Sequence, residues 1–181
     1  GFNNVNTPGW IWGFDITGET GLRLISWWGQ VDAFSYSYAW AGDAKAIDQN
    51  LYDAIPANDA RKAQFFPGSG YYNLMPLDKF YDASRIAEMH ILKAESLANM
   101  GQEGPARTAL RQVLDQRVPD SGYLDGLSGQ ALLDEIHLQT RIEFWGEGKT
   151  YLAIKRNQRS TGVRGSNHLS FVGESIAHNE E

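Results

Sequence analysis

The segment from Leu132 to Arg156 constrains the fold more than any other part of the chain. Leu132, Ile136, Thr140 and Phe144 form one i, i+4 row, and Leu138, Ile142 and Trp145 form a second. On a helix these rows point to nearly opposite sides, so a helix over 128–147, starting at Ser128, has two apolar faces and needs packed neighbours on both. Arg141 and Glu143 lie inside the same run. Desolvating an unpaired charge is expensive, so these groups are expected to meet partners on other elements. Gly146 and Gly148 then interrupt the pattern, and Thr150 to Arg156 restarts as a short helix with Lys155 and Arg156 at its C-terminal end.

The 181 residues suffice for one domain with a core, or for part of a larger one. A net charge of -6 with no basic run argues against a nucleic-acid surface. No apolar run is long enough to span a bilayer. The absence of cysteine excludes disulfides, thiol catalysis and cysteine-ligated metal. His90, His137, His168 and His178 fit no metalloprotease spacing, and no acidic loop has calcium-ligand periodicity, so no metal is expected. Neither a nucleophile elbow nor a phosphate-binding glycine loop is present, and no cofactor is implied.

Residues 1–82 read as loop-rich with short helices. Trp10, Trp12 and Phe14 alternate, as do Phe34, Tyr36, Tyr38 and Trp40, among glycines that punctuate the stretch. Ile47, Leu51 and Ile55 form an i, i+4 row stopped by Pro56, and Asn58 or Asp59 is placed to cap a second short turn with Arg61 and Lys62. Residues 71–82 read as another loop. Residues 83–157 read as the helical scaffold. An amphipathic helix over 83–100 carries Ile86, Ala87, Ile91, Leu92, Ala94 and Leu97, Gly101 ends it, and Pro105 suits the first position of a helix reaching Arg117. Ala94, Leu97, Gly101, Ala106, Leu110 and Val113 fall at offsets 0, 3, 7, 12, 16 and 19. That is similar to the small-residue spacing of a tetratricopeptide repeat, and equally compatible with a plain αα-hairpin. Residues 158–181 read as a polar tail with a frayed end.

Two constellations carry possible chemistry. Glu88 and Glu95 lie seven residues apart, about 10 Å on one helix face, and Glu143 could approach from a neighbouring helix. Such carboxylates could serve a glycoside-acting enzyme. The plainer reading, structural ion pairing with Arg85, Arg117 or Arg141, is favoured because these acids sit beside Ile91 and Leu92 on a close-packed helix. The second constellation is aromatic. Five of the six tryptophans precede residue 42, and Trp27, Trp28, Tyr36, Tyr38 and Trp40, with Gln30 and Asp32, suit stacking on sugar rings and hydrogen bonding to hydroxyls. The alternative is that these rings anchor the loops to the helices.

Several stretches resemble one family. RIAEMHILKAESLANMG (85–101) with the helix that follows is similar to the tetratricopeptide-like pair of SusD/RagB proteins. LQTRIEFWGEGKTYLAIKR (138–156) resembles that family's last strong motif, NDARK (58–62) its Asp-x-Arg segment, and GWIWGFDI (9–16) the start of its C-terminal portion. Gln139-Thr140 stands where many members carry Glu-Arg, a difference expected to alter one packing contact.

The resemblance implies a mainly α fold of tetratricopeptide-like helical hairpins with long aromatic-rich loops. It also implies a non-catalytic glycan or nutrient binder, lipid-anchored at the outer membrane of Bacteroidetes, that hands its ligand to a SusC-like TonB-dependent transporter. Glu88, Glu95, Arg141 and Glu143 become scaffold residues on that reading. Family members are longer, so the expectation is that this chain corresponds to their C-terminal portion, without the anchored cysteine. The family's binding residues lie in variable loops, so the aromatic candidates rest on their chemistry alone. A tetratricopeptide-like protein-interaction scaffold is the third possibility.

Overall fold

The structure, a computed structural model, describes residues 45–67, 73–74, 84–166 and 172–179. It is mainly α. The aromatic stretch over 1–44 lies outside the described residues.

Helix α1 is Gln49–Ala54, and Asp48 caps it by accepting from the Leu51 N–H at 3.1 Å. The predicted i, i+4 row is its buried face: Ile47, Leu51 and Ile55 pack with Phe65 and Ile142. A 3-10 helix, Ala60–Gln64, follows, and Asp59 is its cap, accepting from the Arg61 N–H at 2.8 Å. Strand β1, Phe66–Pro67, pairs antiparallel with β2, Asn73–Leu74, in the register Phe66 to Leu74 and Pro67 to Asn73. This short ladder joins the end of a stretch expected to hold short helices to a stretch expected to be loop, and neither expectation included it.

Helix α2 is Ser84–Asn99 and α3 is Glu103–Leu114. They form the expected hairpin: Ala87, Ile91 and Ala94 bury against Ala106, Ala109, Leu110 and Val113. The small residues let the two backbones approach. Helix α3 starts two residues earlier than expected and stops short of Arg117. Pro105 therefore stands in the first turn, where a missing N–H costs nothing.

A second 3-10 helix, Gly122–Gly126, buries Leu124 and leads to α4, Gly129–Glu143. Ser128 occupies the cap position without a side-chain cap bond, and Glu103 of α3 accepts from the Gly129 N–H at 2.6 Å instead. The two apolar faces of α4 are both used. Leu132, Ile136 and Phe144 enter the cluster under α2 and α3. Ile142 enters the other cluster, with Leu138 and Trp145 packed at its edge. The helix ends at Glu143 rather than 147, because Phe144 leaves helical geometry at φ -112°, ψ 28°. Helix α5, Lys149–Arg156, follows a left-handed Gly148.

Beyond Arg156 the chain folds back. Ser160 forms an antiparallel bridge with Ala177, and the Thr161 N–H donates to the Ile176 carbonyl at 2.9 Å. Gly165 lies against α1, where a Cβ would meet Gln49 Cβ at 2.8 Å, and its N–H donates to Asp48 Oδ2 at 2.7 Å. Asn50 Nδ2 donates to the Val163 carbonyl at 3.0 Å. Among the described residues no helix is long and apolar enough to cross a membrane.

Candidate functional site

Two polar arrangements organise the described part of the molecule. The first is buried. Arg61 is 1% exposed. Its Nε and Nη2 donate to the two carboxylate oxygens of Asp59 at 3.0 and 2.6 Å, and its Nη1 donates to Glu143 Oε2 at 3.0 Å. Glu143 also accepts from Arg117, at 2.7 Å from Nη2 and 3.2 Å from Nε. The Arg117 carbonyl accepts from the Ala60 N–H at 2.8 Å. Burial alone would lower the Arg61 pKa, but the hydrogen bonds and charges of Asp59 and Glu143 outweigh it and raise the pKa overall.

Gln139 extends this network. Its Oε1 accepts from Arg61 Nη2 at 2.6 Å, while its Nε2 donates to Glu135 Oε1 at 2.8 Å. Tyr123 donates to the same Glu135 oxygen at 2.6 Å. Burial and the adjacent Glu135 raise the Tyr123 hydroxyl well above its ordinary value. Gln139 is therefore a buried junction between a cation and an anion, rather than a simple packing contact.

The second arrangement is a groove between α2, α4 and α5. Its walls include Glu88, Leu92 and Glu95 of α2 and Lys149, Leu152 and Arg156 of α5, over Phe144 and Thr140. Glu88 pairs with Lys149. Arg156 Nε and Nη2 donate to Glu95 Oε1 and Oε2 at 2.6 and 3.1 Å. The hydrogen bond to Glu95 is the leading cause of a raised Arg156 pKa. Glu88 to Glu95 and Lys149 to Arg156 are equal seven-residue steps, so α2 and α5 run in the same direction with two rungs about 10 Å apart.

These placements answer the sequence expectations one by one. Glu88, Glu95 and Glu143 are ion-paired, as the plainer reading held. Arg117 is one of the expected partners, on Glu143. Lys149 and Arg156 are partners that sequence reasoning missed, although their spacing matches that of the two glutamates. Arg141 is half-buried: burial lowers its pKa, and the charge of Asp48 opposes the shift. The Arg85 side chain lies outside what is described. The candidate binding residues Trp27, Trp28, Tyr36, Tyr38 and Trp40 also lie outside the described residues. Among the described residues no group of three His, Cys, Asp or Glu is placed to hold a metal.

No family model and no curated protein matches the chain. Solved structures do. A SusD-like carbohydrate binding protein from Bacteroides vulgatus aligns over 91% of this chain and 37% of its own, with a TM-score of 0.66 and 26% identity. A SusD superfamily protein from Bacteroides fragilis aligns over 71% of this chain and 30% of its own, with a TM-score of 0.52 and 30% identity. The chain thus spans about a third of the length of these two neighbours. The helical fold and these two matches support a SusD-like family assignment.

Proposed function

We propose that the chain serves glycan binding at a bacterial cell surface, without catalysis, as part of a lipid-anchored outer-membrane protein that passes its ligand to a SusC-like TonB-dependent transporter. The observation that carries this reading is the 0.66 TM-score match, over nearly the whole chain, to a protein described as SusD-like and carbohydrate binding. The aromatic stretch supplies the contact chemistry. Trp27, Trp28, Tyr36, Tyr38 and Trp40 stack on sugar faces, and Gln30 and Asp32 select hydroxyls. The carboxylates support binding over hydrolysis. Glu143 is occupied by two arginines, and Glu88 and Glu95 each hold a cation. Carboxylates already committed to cations are not free to reach a glycosidic oxygen.

The test is a tryptophan-fluorescence titration of the chain, and of the longer protein it belongs to, against a panel of soluble glycans, with reducing ends assayed in the same tubes. The expected result is a saturable emission shift, lost in Trp27→Ala and Trp28→Ala, with no new reducing ends. New reducing ends would overturn the non-catalytic reading. An emission shift that survives every aromatic substitution would move the binding surface elsewhere.

A further inference from the structure

We propose that residues 157–165 form an acid-released strap over α4, with His137 as the group that senses the proton. The inference stands apart from the glycan reading and rests on geometry around one imidazole. His137 Nδ1 is buried and has no hydrogen-bond partner. A buried ring nitrogen without an acceptor is tolerable while it is unprotonated, because it then presents a lone pair rather than an N–H. Protonation would bury a donor with nothing to receive it.

The surroundings make this worse for the charged ring. Arg159 of the strap and Arg141 of α4 both act on His137, and among the described residues Glu95 of α2 and Asp134 of α4 oppose them. Both acids are already engaged. Glu95 holds Arg156, and Asp134 accepts from Arg159 Nη1 at 2.7 Å and from Gln130 Nε2 at 2.8 Å. With burial as the leading cause, the His137 pKa falls to about 4.

The strap is the part that can yield. Arg141 and His137 are fixed by the register of α4, one turn apart. Arg159 sits on the turn that follows α5, and Gly162 lies so close to Arg141 that a Cβ there would come within 3.3 Å of its Nη1. Asp134 lies three residues before His137 on the same helix, within reach of an imidazolium. Acidification therefore sets His137 against Arg159 for one carboxylate. Loss of the Arg159–Asp134 pair lifts the turn and loosens the Gly165–Asp48 and Val163–Asn50 bonds that hold the strap on α1.

The test is hydrogen exchange with mass spectrometry on the whole chain at about pH 7.5 and about pH 5, corrected for intrinsic rates. Protection of the Gly165 amide, which donates to Asp48, should drop on the order of ten- to thirtyfold at the lower pH, while α2 and α3 hold. His137→Gln should abolish the pH effect, and Asp134→Asn should open the strap at neutral pH. An equal loss in His137→Gln, or none in the parent chain, would overturn the proposal. Where His137→Gln does not fold, an NMR titration of the ring in the parent chain decides. A midpoint near 4 that tracks the loss of protection supports the strap, and one near 6.5 sinks it.

Discussion

Arg61 and Glu143 stand 82 residues apart in sequence and meet at 3.0 Å. Around that contact the 3-10 helix at 60–64, the end of α4 and the turn carrying Arg117 become one unit. The pair is buried on both sides, with the Arg61 side chain 1% and the Glu143 side chain 4% exposed. Glu143→Ala would leave two arginines with too few anions. The expected loss is about 3–5 kcal/mol in urea denaturation at neutral pH. A loss below about 1 kcal/mol would show that the network is not a keystone.

The Glu95–Arg156 rung between α2 and α5 should contribute little and be sensitive to salt. Arg156 is 44% exposed at its side chain, so solvent screens its pairing with Glu95. A double-mutant cycle over Glu95→Ala and Arg156→Ala should return about 0.5–1 kcal/mol of coupling. Most of that should vanish at high salt. Coupling that salt leaves untouched would contradict the exposed placement.

Two glycines near the α2–α3 turn give a contrast in backbone effects. Gly101 sits at φ +74°, and Gln102 N–H donates to the Leu97 carbonyl at 2.8 Å while Gly101 N–H donates to the Ala98 carbonyl at 3.0 Å. That is a Schellman closure with its left-handed residue at Gly101. A Cβ at Gly101 or Gly104 meets nothing within 4 Å. Gly101→Ala should therefore destabilise by about 1 kcal/mol through conformation alone. Gly104→Ala, inside α3, should stabilise by about 0.5–1 kcal/mol. Thermal melts of the two variants should move in opposite directions.

Global stability should depend on pH through His137. Its folded pKa lies at about 4, below the ordinary value of 6.5. Between these values the unfolded chain binds the proton and the folded chain does not, so stability rises with pH across the window. The contribution is complete above about pH 6.5 and is lost as the pH falls toward 4. The ring is partly solvated, so the expected size is about 1–2 kcal/mol, below the full linkage value. His137→Phe should flatten the profile in that window, as read from denaturant midpoints.

Much of this fold was legible in the sequence because it rests on local periodicity. The two rows of α4 foretold two clusters, Asp59 was one of the two residues expected to cap the 3-10 helix, and the run of small residues from Ala94 to Val113 foretold the α2–α3 hairpin. Contacts that depend on chain reversal were not legible. Glu88 and Glu95 find Lys149 and Arg156 only because the turn at Gly146 and Gly148 swings α5 alongside α2. Ser160 meets Ala177 for a similar non-local reason. Gln139 was expected to alter one packing contact, and its role as a buried junction depends on Arg61 arriving from 78 residues away. Of the candidate site, Trp27, Trp28, Tyr36, Tyr38 and Trp40 were proposed from their chemistry alone and lie outside the described residues, which comprise the helical scaffold.

A helix with one buried face can roll or slide a little to relieve a poor fit, letting its wet side absorb the difference. Helix α4 lacks that freedom. Any rotation that eased Leu132, Ile136 and Phe144 would press Ile142 into the opposite cluster and pull Glu143 off its arginines. Its angular setting is fixed from both sides, and a single-residue insertion before Leu138 would wreck two cores at once.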